Sequence, residues 1–238
     1  MANQEKNSRG KLTLKGKVIF ITGASAGIGK ALAIEAARRG ANLILCARRM
    51  ERLAEVRSEA TRLGARVVVF QGNVTESLEV NAAAENGLRE LGRIDIAIAN
   101  AGIGITAPFQ DLTNDDYRKQ FNTNIYGVLC TVRAALPAIE ESKGQIVIIG
   151  SVSSYVSTGG DSPYAMSKAA VRALADSLFI ELRPKGVGVS LICPGFVASE
   201  IRVIDNKGKL HQDAKDPIPR WLVMDANIAA RKMLDGIE

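Results

Sequence analysis

Two hydrophobic rhythms alternate along the chain. Short apolar runs rich in β-branched residues occur at Val18–Thr22 (VIFIT), 42–46 (NLILC), 67–70 (VVVF), 94–99 (IDIAIA), 146–150 (IVIIG) and 188–193 (GVSLIC). Runs of this kind are expected of strands covered on both faces. Between them, apolar residues recur every three or four positions over 27–39, 50–63, 76–91, 114–139 and 164–183, with a last such stretch over 225–234. That spacing gathers them on one stripe of a helix. Strict alternation of strand and helix predicts an α/β fold, a doubly wound parallel sheet with right-handed crossovers and helices on both faces.

Local punctuation agrees. Thr113 and Asp116 resemble a capping box. Pro163 sits just before the fifth helix, where its missing N–H costs nothing, and Gly40, Gly64, Gly92 and Gly186 follow helices as left-handed caps. The rhythm breaks after Cys193. Residues 199–224 scatter Ile201, Val203, Ile204, Ile218, Trp221 and Leu222 among Asp, Lys and Pro, with Gly208 and a PIP turn at 217–219. Long excursions of this sort are usually functional lids or disordered segments. This one reads as a lid over a substrate near 198–224, with Trp221 as its anchor; the competing reading is permanent packing on the protein or at a subunit interface. Residues 1–15 read as a flexible basic tail, and 16–238 as a single domain.

Composition narrows the function. The 31 Lys+Arg against 25 Asp+Glu give a net charge of +6, spread without runs longer than two, whereas nucleic-acid binders cluster their cations. His211 is the single histidine, so no imidazole-built metal site is available. Cys46, Cys130 and Cys193 are far apart and form no CxxC, which argues against a disulfide framework and a zinc site. The polar start has no signal-peptide core, and no uncharged stretch reaches the ~18 apolar residues of a spanning helix. A reducing, cytoplasmic setting is the default expectation.

The chemistry lies where strands end. The first strand runs into Thr22-Gly23-Ala24-Ser25-Ala26-Gly27-Ile28-Gly29, which opens directly into a helix. Glycines let the backbone turn sharply and approach a phosphate, and the helix N-terminus offers unpaired N–H groups. At the end of the second strand, dinucleotide sites selective for NAD place an acid for the ribose 2′-OH. This chain has Cys46-Ala47-Arg48-Arg49 instead. Two guanidiniums suit a 2′-phosphate and point to NADP(H) rather than NAD, the bland alternative being the start of a solvated helix. Tyr164 and Lys168 stand four apart on one predicted helix, so phenol and ammonium share a face. A free phenol titrates near ~10, and bringing it near 7 needs about 4 kcal/mol of differential stabilisation, of the sign a fixed ammonium supplies.

Ser151, Asn124, Asn100-Ala101-Gly102 and Pro194-Gly195 also fall at or just beyond strand ends. With TGASAGIG (22–29), NAG (100–102), Asn124 in NIYG, Ser151 in GSV, YAMSK (164–168) and PG (194–195), the chain resembles the short-chain dehydrogenase/reductase family, single-domain branch, over roughly residues 16–200. The resemblance implies an NAD(P)-binding Rossmann-type fold and hydride transfer between the cofactor and a carbonyl or alcohol carbon. It implies Tyr164 as acid/base, Ser151 bonding the carbonyl oxygen, Lys168 on the ribose hydroxyls and Asn124 holding a relay water. Cofactor contacts carry over to Gly23, Ser25, Ala26, Gly27, Ile28, Gly29, Arg48, Arg49, Asn73, Val74, Asn100, Ala101, Gly102, Pro194, Gly195, Val197 and Ser199. The chain departs from the family pattern at four places. Asn73 stands for the usual Asp, Ala99 for the first Asn of NNAG, and Ser199 for Thr. Glu238 ends the chain where relatives continue into a seventh strand that contacts another subunit, so the chain is either short or truncated.

The expected partners are a small, apolar carbonyl or alcohol and further copies of the chain, as a homodimer or homotetramer, without nucleic acid. Leu129, Val132, Val171, Leu174 and Leu178 are the candidate interface positions on the two long helices. A non-catalytic NADP(H)-binding scaffold or redox sensor is the rival class; it would be expected to lack Tyr164 or Lys168, and both are present.

Overall fold

The computed structural model describes residues 13–202, 206 and 218–238. Within them, β1 (Val18–Thr22), β2 (Asn42–Ala47), β3 (Val67–Gln71), β4 (Ile96–Ala99), β5 (Gln145–Ile149) and β6 (Gly188–Ile192) form one sheet in the order β3-β2-β1-β4-β5-β6. Every pairing is parallel. The helices are α1 (Gly27–Arg38), α2 (Met50–Arg62), α3 (Ser77–Leu91), α4 (Asn114–Phe121), α5 (Gly127–Ser142), α6 (Ser162–Leu182) and α7 (Ala226–Ile237). The architecture is the expected Rossmann-type doubly wound α/β fold.

The continuous apolar runs follow from this layering. In β1, Ile19 and Ile21 enter a core shared with α1 and α7, while Val18 and Phe20 enter a second core shared with α3, α5 and α6. A strand buried on both faces has no polar side to alternate with.

Several boundaries differ from the sequence reading, each for a local reason. The helix expected over 114–139 is three pieces: α4, a π-helical turn over Asn122–Tyr126, and α5. The π turn is a one-residue widening that re-aims side chains. Pro163 lies inside the first turn of α6, not before it, which is still a position whose N–H needs no partner. The fourth strand begins at Ile96 because the carboxylate of Asp95 accepts from the backbone N–H of Val18 (2.9 Å). Leu14, within the segment read as a flexible tail, is fully buried, and its N–H donates to the Glu238 carboxylate. Val132 and Val171, offered as interface positions, point into the second core. The capping box at Thr113 and Asp116 is present, and Gly40, Gly64, Gly92 and Gly186 all have positive φ.

Because the strands are parallel, all loops leaving their carboxyl ends gather on one edge. Beside β1 the chain departs to β2 on one side and to β4 on the other, and the crevice between the two departures is where open α/β sheets take ligands. The opposite edge is fastened by Asp95, which also meets Lys17 (3.1 Å) and Arg93 (2.6 Å). Asp95→Ala leaves a buried N–H without its acceptor. It should lower unfolding free energy by about 2 kcal/mol in urea titrations.

Candidate active site

The turn from β1 into α1 has almost no room for side chains. A Cβ on Gly23, whose φ is +68°, would lie 2.7 Å from the Ala101 Cα, and one on Gly29 would lie 2.3 Å from the Gly23 carbonyl oxygen. The Asn100 amide donates to the carbonyls of Thr22 (2.9 Å) and Gly23 (3.3 Å), tying the turn to the end of β4. Ala26 precedes α1 and has no side-chain acceptor to cap it, and no acid stands in the first turn. First-turn N–H groups left without a side-chain partner beside a glycine turn suit a phosphate. Ile28 packs on the core, and Ser199 lies against Gly27, where an added Cβ would stand 3.1 Å from that of Ser199.

Next to this turn, Arg48 is exposed, and its guanidinium has no hydrogen-bonding or ion-pair partner among the described residues. Arg49 donates to the Glu200 carboxylate (2.8 Å) and to the Ser25 hydroxyl (3.4 Å). Asn73 accepts from the N–H of Thr75 (3.2 Å), and Val74 is buried against Gly127. The side chain of Val197 is buried in the first core, so it lines no crevice; a backbone bridge joins it to Met224.

On the other side of the crevice, α6 carries Tyr164 and Lys168 one turn apart. The Lys168 Nζ lies 5.7 Å from the centroid of the Tyr164 ring. Lys168 is only 5% exposed, and its ammonium donates to the Ile149 carbonyl at the end of β5 (2.8 Å). No other hydrogen bond of that ammonium is found among the described residues. Burial pushes its pKa down to about 8, with a smaller opposing pull from Cys193. Ser151 follows β5 directly and is buried; its hydroxyl accepts from the N–H of Ser153 (3.1 Å). Pro194 offers its carbonyl to the N–H of Val152 (3.0 Å), which holds the Ser151 loop to the end of β6, and Gly195 is exposed.

Asn124 sits in the π turn and is fully buried. Its Oδ1 accepts from the N–H of Ile103 (2.9 Å), and its amide donates to the Ile103 carbonyl (3.0 Å) and the Ser167 hydroxyl (3.1 Å). Gly102 lies beside it. The Ser167 hydroxyl in turn donates to the Tyr164 carbonyl (2.7 Å). Gln120, also fully buried, accepts from Ile105 (2.7 Å) and donates to the Ile103 carbonyl (2.8 Å).

Gln120, Ser167 and Glu200 went unnoticed in the sequence. The spacing of Gln120 and Asn124 on one predicted helix was the signal available for the first. Trp221, read as the lid anchor, is 82% exposed and anchors nothing among the described residues. Described parts of the excursion do touch the site: Ile201 lies 3.5 Å from where a Gly104 Cβ would stand, and Asn206 bonds both backbone groups of Thr106. Val203, Ile204, Gly208, His211 and the segment 207–215 lie outside the described residues.

The short chain dehydrogenase family profile matches residues 17–209. The chain belongs to that family. It is 40% identical over 233 residues to oxidoreductase UcpA of Salmonella typhimurium, covering 96% of this chain and 86% of that one. It is 37% identical over 219 residues to 11-beta-hydroxysteroid dehydrogenase A of Sesamum indicum, covering 86% of this chain but 62% of that protein's length. Among solved structures, carveol dehydrogenase from Mycobacterium avium in complex with NAD superposes with a TM-score of 0.84 at 26% identity, covering 93% and 91% of the two chains. An alcohol dehydrogenase from Thermococcus sibiricus complexed with 5-hydroxy-NADP gives 0.80 at 27%, covering 91% and 88%. Both cofactor types therefore occur among its structural neighbours.

The buried ammonium carries a stability signature. In the unfolded chain a lysine titrates near 10.5 and in the folded one near 8, so between these pH values the unfolded state holds the proton that the folded state has released. Stability attributable to this group therefore rises with pH across that window, and its cost is full below pH 8. Lys168→Met should be more stable than wild type at pH 7, by on the order of 3 kcal/mol, and the difference should vanish above pH 10.5. Denaturant melts of both proteins from pH 6 to 11 read this directly.

Proposed function

We propose that the protein is an NADP(H)-dependent oxidoreductase that interconverts an apolar ketone or aldehyde and its alcohol. The observation that carries the reading is Lys168. An ammonium has three N–H donors, and the one found here engaged goes to Ile149. Burying a cation with donors to spare is costly for the fold. A vicinal diol and an adjacent phenol would repay that cost.

The residues fit a nicotinamide dinucleotide. Gly23, Ser25, Ala26, Gly27, Ile28 and Gly29 would cradle its pyrophosphate, and Asn100, Ala101 and Gly102 would back that cradle. Asn73 and Val74 would hold the adenine, the backbone of Pro194, Gly195, Val197 and Ser199 would hold the nicotinamide, and Lys168 would hold the ribose hydroxyls. When bound, the cofactor supplies or accepts the hydride. Ser151 positions the substrate oxygen by a hydrogen bond. Tyr164 gives that oxygen a proton in reduction and takes it back in oxidation, with the Lys168 charge favouring the phenolate. Both amide N–H groups of Asn124 are already in use, so it would hold a relay water through its acceptor atoms. A non-catalytic cofactor scaffold is the less favoured reading, because Tyr164, Lys168, Ser151 and Asn124 are all present and supported by buried neighbours.

Arg48 supports NADP(H): a guanidinium at the end of β2 without a partner among the described residues would suit a 2′-phosphate. An apolar substrate is supported by the exposed Val152, Tyr155, Val156 and Phe196 on the two segments that leave β5 and β6. The named relatives agree, since hydroxysteroids and carveol are alcohols on apolar ring skeletons. Among the described residues no helix is long and apolar enough to cross a membrane. Separately, the reading takes the protein as a cytoplasmic homodimer or homotetramer.

Two experiments test the reading. Tyr164→Phe should lower kcat on any active ketone by several orders of magnitude while leaving NADPH affinity within a few-fold, because the phenol acts in the transition state. In the same assay, Arg48→Asp should abolish or reverse a preference for NADPH over NADH in kcat/KM; equal use of both cofactors by wild type would refute it. For assembly, Ile180 and Phe179 on α6 are exposed. Light scattering at micromolar concentration should give at least a dimer, and Ile180→Asp should shift it toward monomer.

A further inference from the structure

We infer that Glu200 is an internal competitor for the 2′-phosphate of NADP(H) and so sets how sharply the protein separates NADPH from NADH. The inference rests on the NADP(H) reading above and concerns a residue that reading does not use. Glu200 lies in the short helical turn Glu200–Arg202 beyond β6, far along the chain from the arginines at the start of α2. Its Oε2 accepts from the Arg49 Nη1 at 2.8 Å, and its Oε1 accepts from the Arg52 Nη1. The carboxylate is thus shared between two guanidiniums. All three side chains are about one-quarter to one-third exposed.

The location of this bridge gives it meaning. Arg49 also reaches the Ser25 hydroxyl in the glycine turn, and the preceding residue, Ser199, packs on Gly27. Glu200 therefore occupies the corner between the β1–α1 turn and the end of β2, where a dinucleotide presents the 2′ position of its adenosine ribose. A guanidinium fork binds a carboxylate or a phosphate in the same geometry, and one fork cannot hold both. Partial burial works to raise the Glu200 carboxyl, but hydrogen bonds from Arg52 and Arg49 outweigh it and hold it below the usual carboxylate range. It is consequently an anion at neutral pH.

Two effects follow, both narrowing the gap between cofactors. A 2′-phosphate must displace Glu200 from Arg49 or sit beside a like charge. A 2′-hydroxyl meets a carboxylate acceptor, the group that the end of β2 lacks, supplied here from the other side of the crevice. Arg48, outside the bridge, remains open to a phosphate in either case.

The probes are 2′,5′-ADP and 5′-AMP, which differ only in the 2′-phosphate, titrated calorimetrically into full-length wild type and Glu200→Gln at 0.15 M salt. Removing the carboxylate should tighten 2′,5′-ADP about three- to tenfold and leave 5′-AMP unchanged or a few-fold weaker. An equal gain for both ligands would reveal only a general change in charge, and no gain for either would make the bridge a structural tie; each overturns the inference. Glu200→Ala repeats the test with a different side chain, and near-equal thermal midpoints for the three proteins exclude misfolding as the cause. The NADP(H) reading is judged separately by the wild type. If wild type binds 2′,5′-ADP no better than 5′-AMP, and Arg48→Ala changes neither, that reading fails whatever Glu200→Gln does.

Discussion

Parallel pairing of β1 with β2 on one side and β4 on the other is the constraint from which the site follows. Parallel strands cannot be joined by tight turns, so each must hand its chain to a crossover, and all the outgoing loops share one edge. In the register observed, Thr22 lies opposite Cys46, so the glycine turn and the arginine pair leave the sheet as neighbours. β5 and β6 end level in the same way, with Ile149 opposite Ile192, which delivers Ser151 and Pro194 side by side. No residue of the site needs a long reach, because sheet registry has already aligned the backbones.

Beneath the reacting groups lies a layer of buried amides and hydroxyls. Gln120 and Asn124 hold the loop after β4 by its own backbone groups, and Ser167 links Asn124 to the first turn of α6. Each partner is satisfied, and a satisfied buried network rigidifies what it touches. The π turn is the device that makes this possible: an uninterrupted α-helix over the same residues would aim Asn124 along a different direction. The cost of the arrangement is concentrated in Lys168, whose charge the apolar surroundings disfavour.

Much of this was legible in the chain itself. Both-face burial writes continuous apolar strands, helix caps write glycines, and the turn after β1 writes its motif in consecutive residues. What escaped was tertiary. A π turn and an α turn use the same kinds of residue, so 122–126 read as ordinary helix. Val132 and Val171 looked like an interface stripe because α5 and α6 have apolar residues on more than one side, and periodicity does not say which side meets the sheet. Trp221 was judged by its type rather than its surroundings. The pairing of Glu200 with Arg49 joins two distant segments, and no local pattern announces it.

The two halves of the crevice differ in how freely they can change. At Gly23 and Gly29 the space for a side chain is already filled by the backbone of the turn itself and by the residues just beyond β4, so the atoms that line this half of the crevice are also the atoms that join one strand to the next. The Arg48 guanidinium is exposed and has no hydrogen-bonding or ion-pair partner among the described residues. Single changes at the rim can therefore alter what the crevice presents there without disturbing the fold, while the glycine turn is locked to the ability to fold.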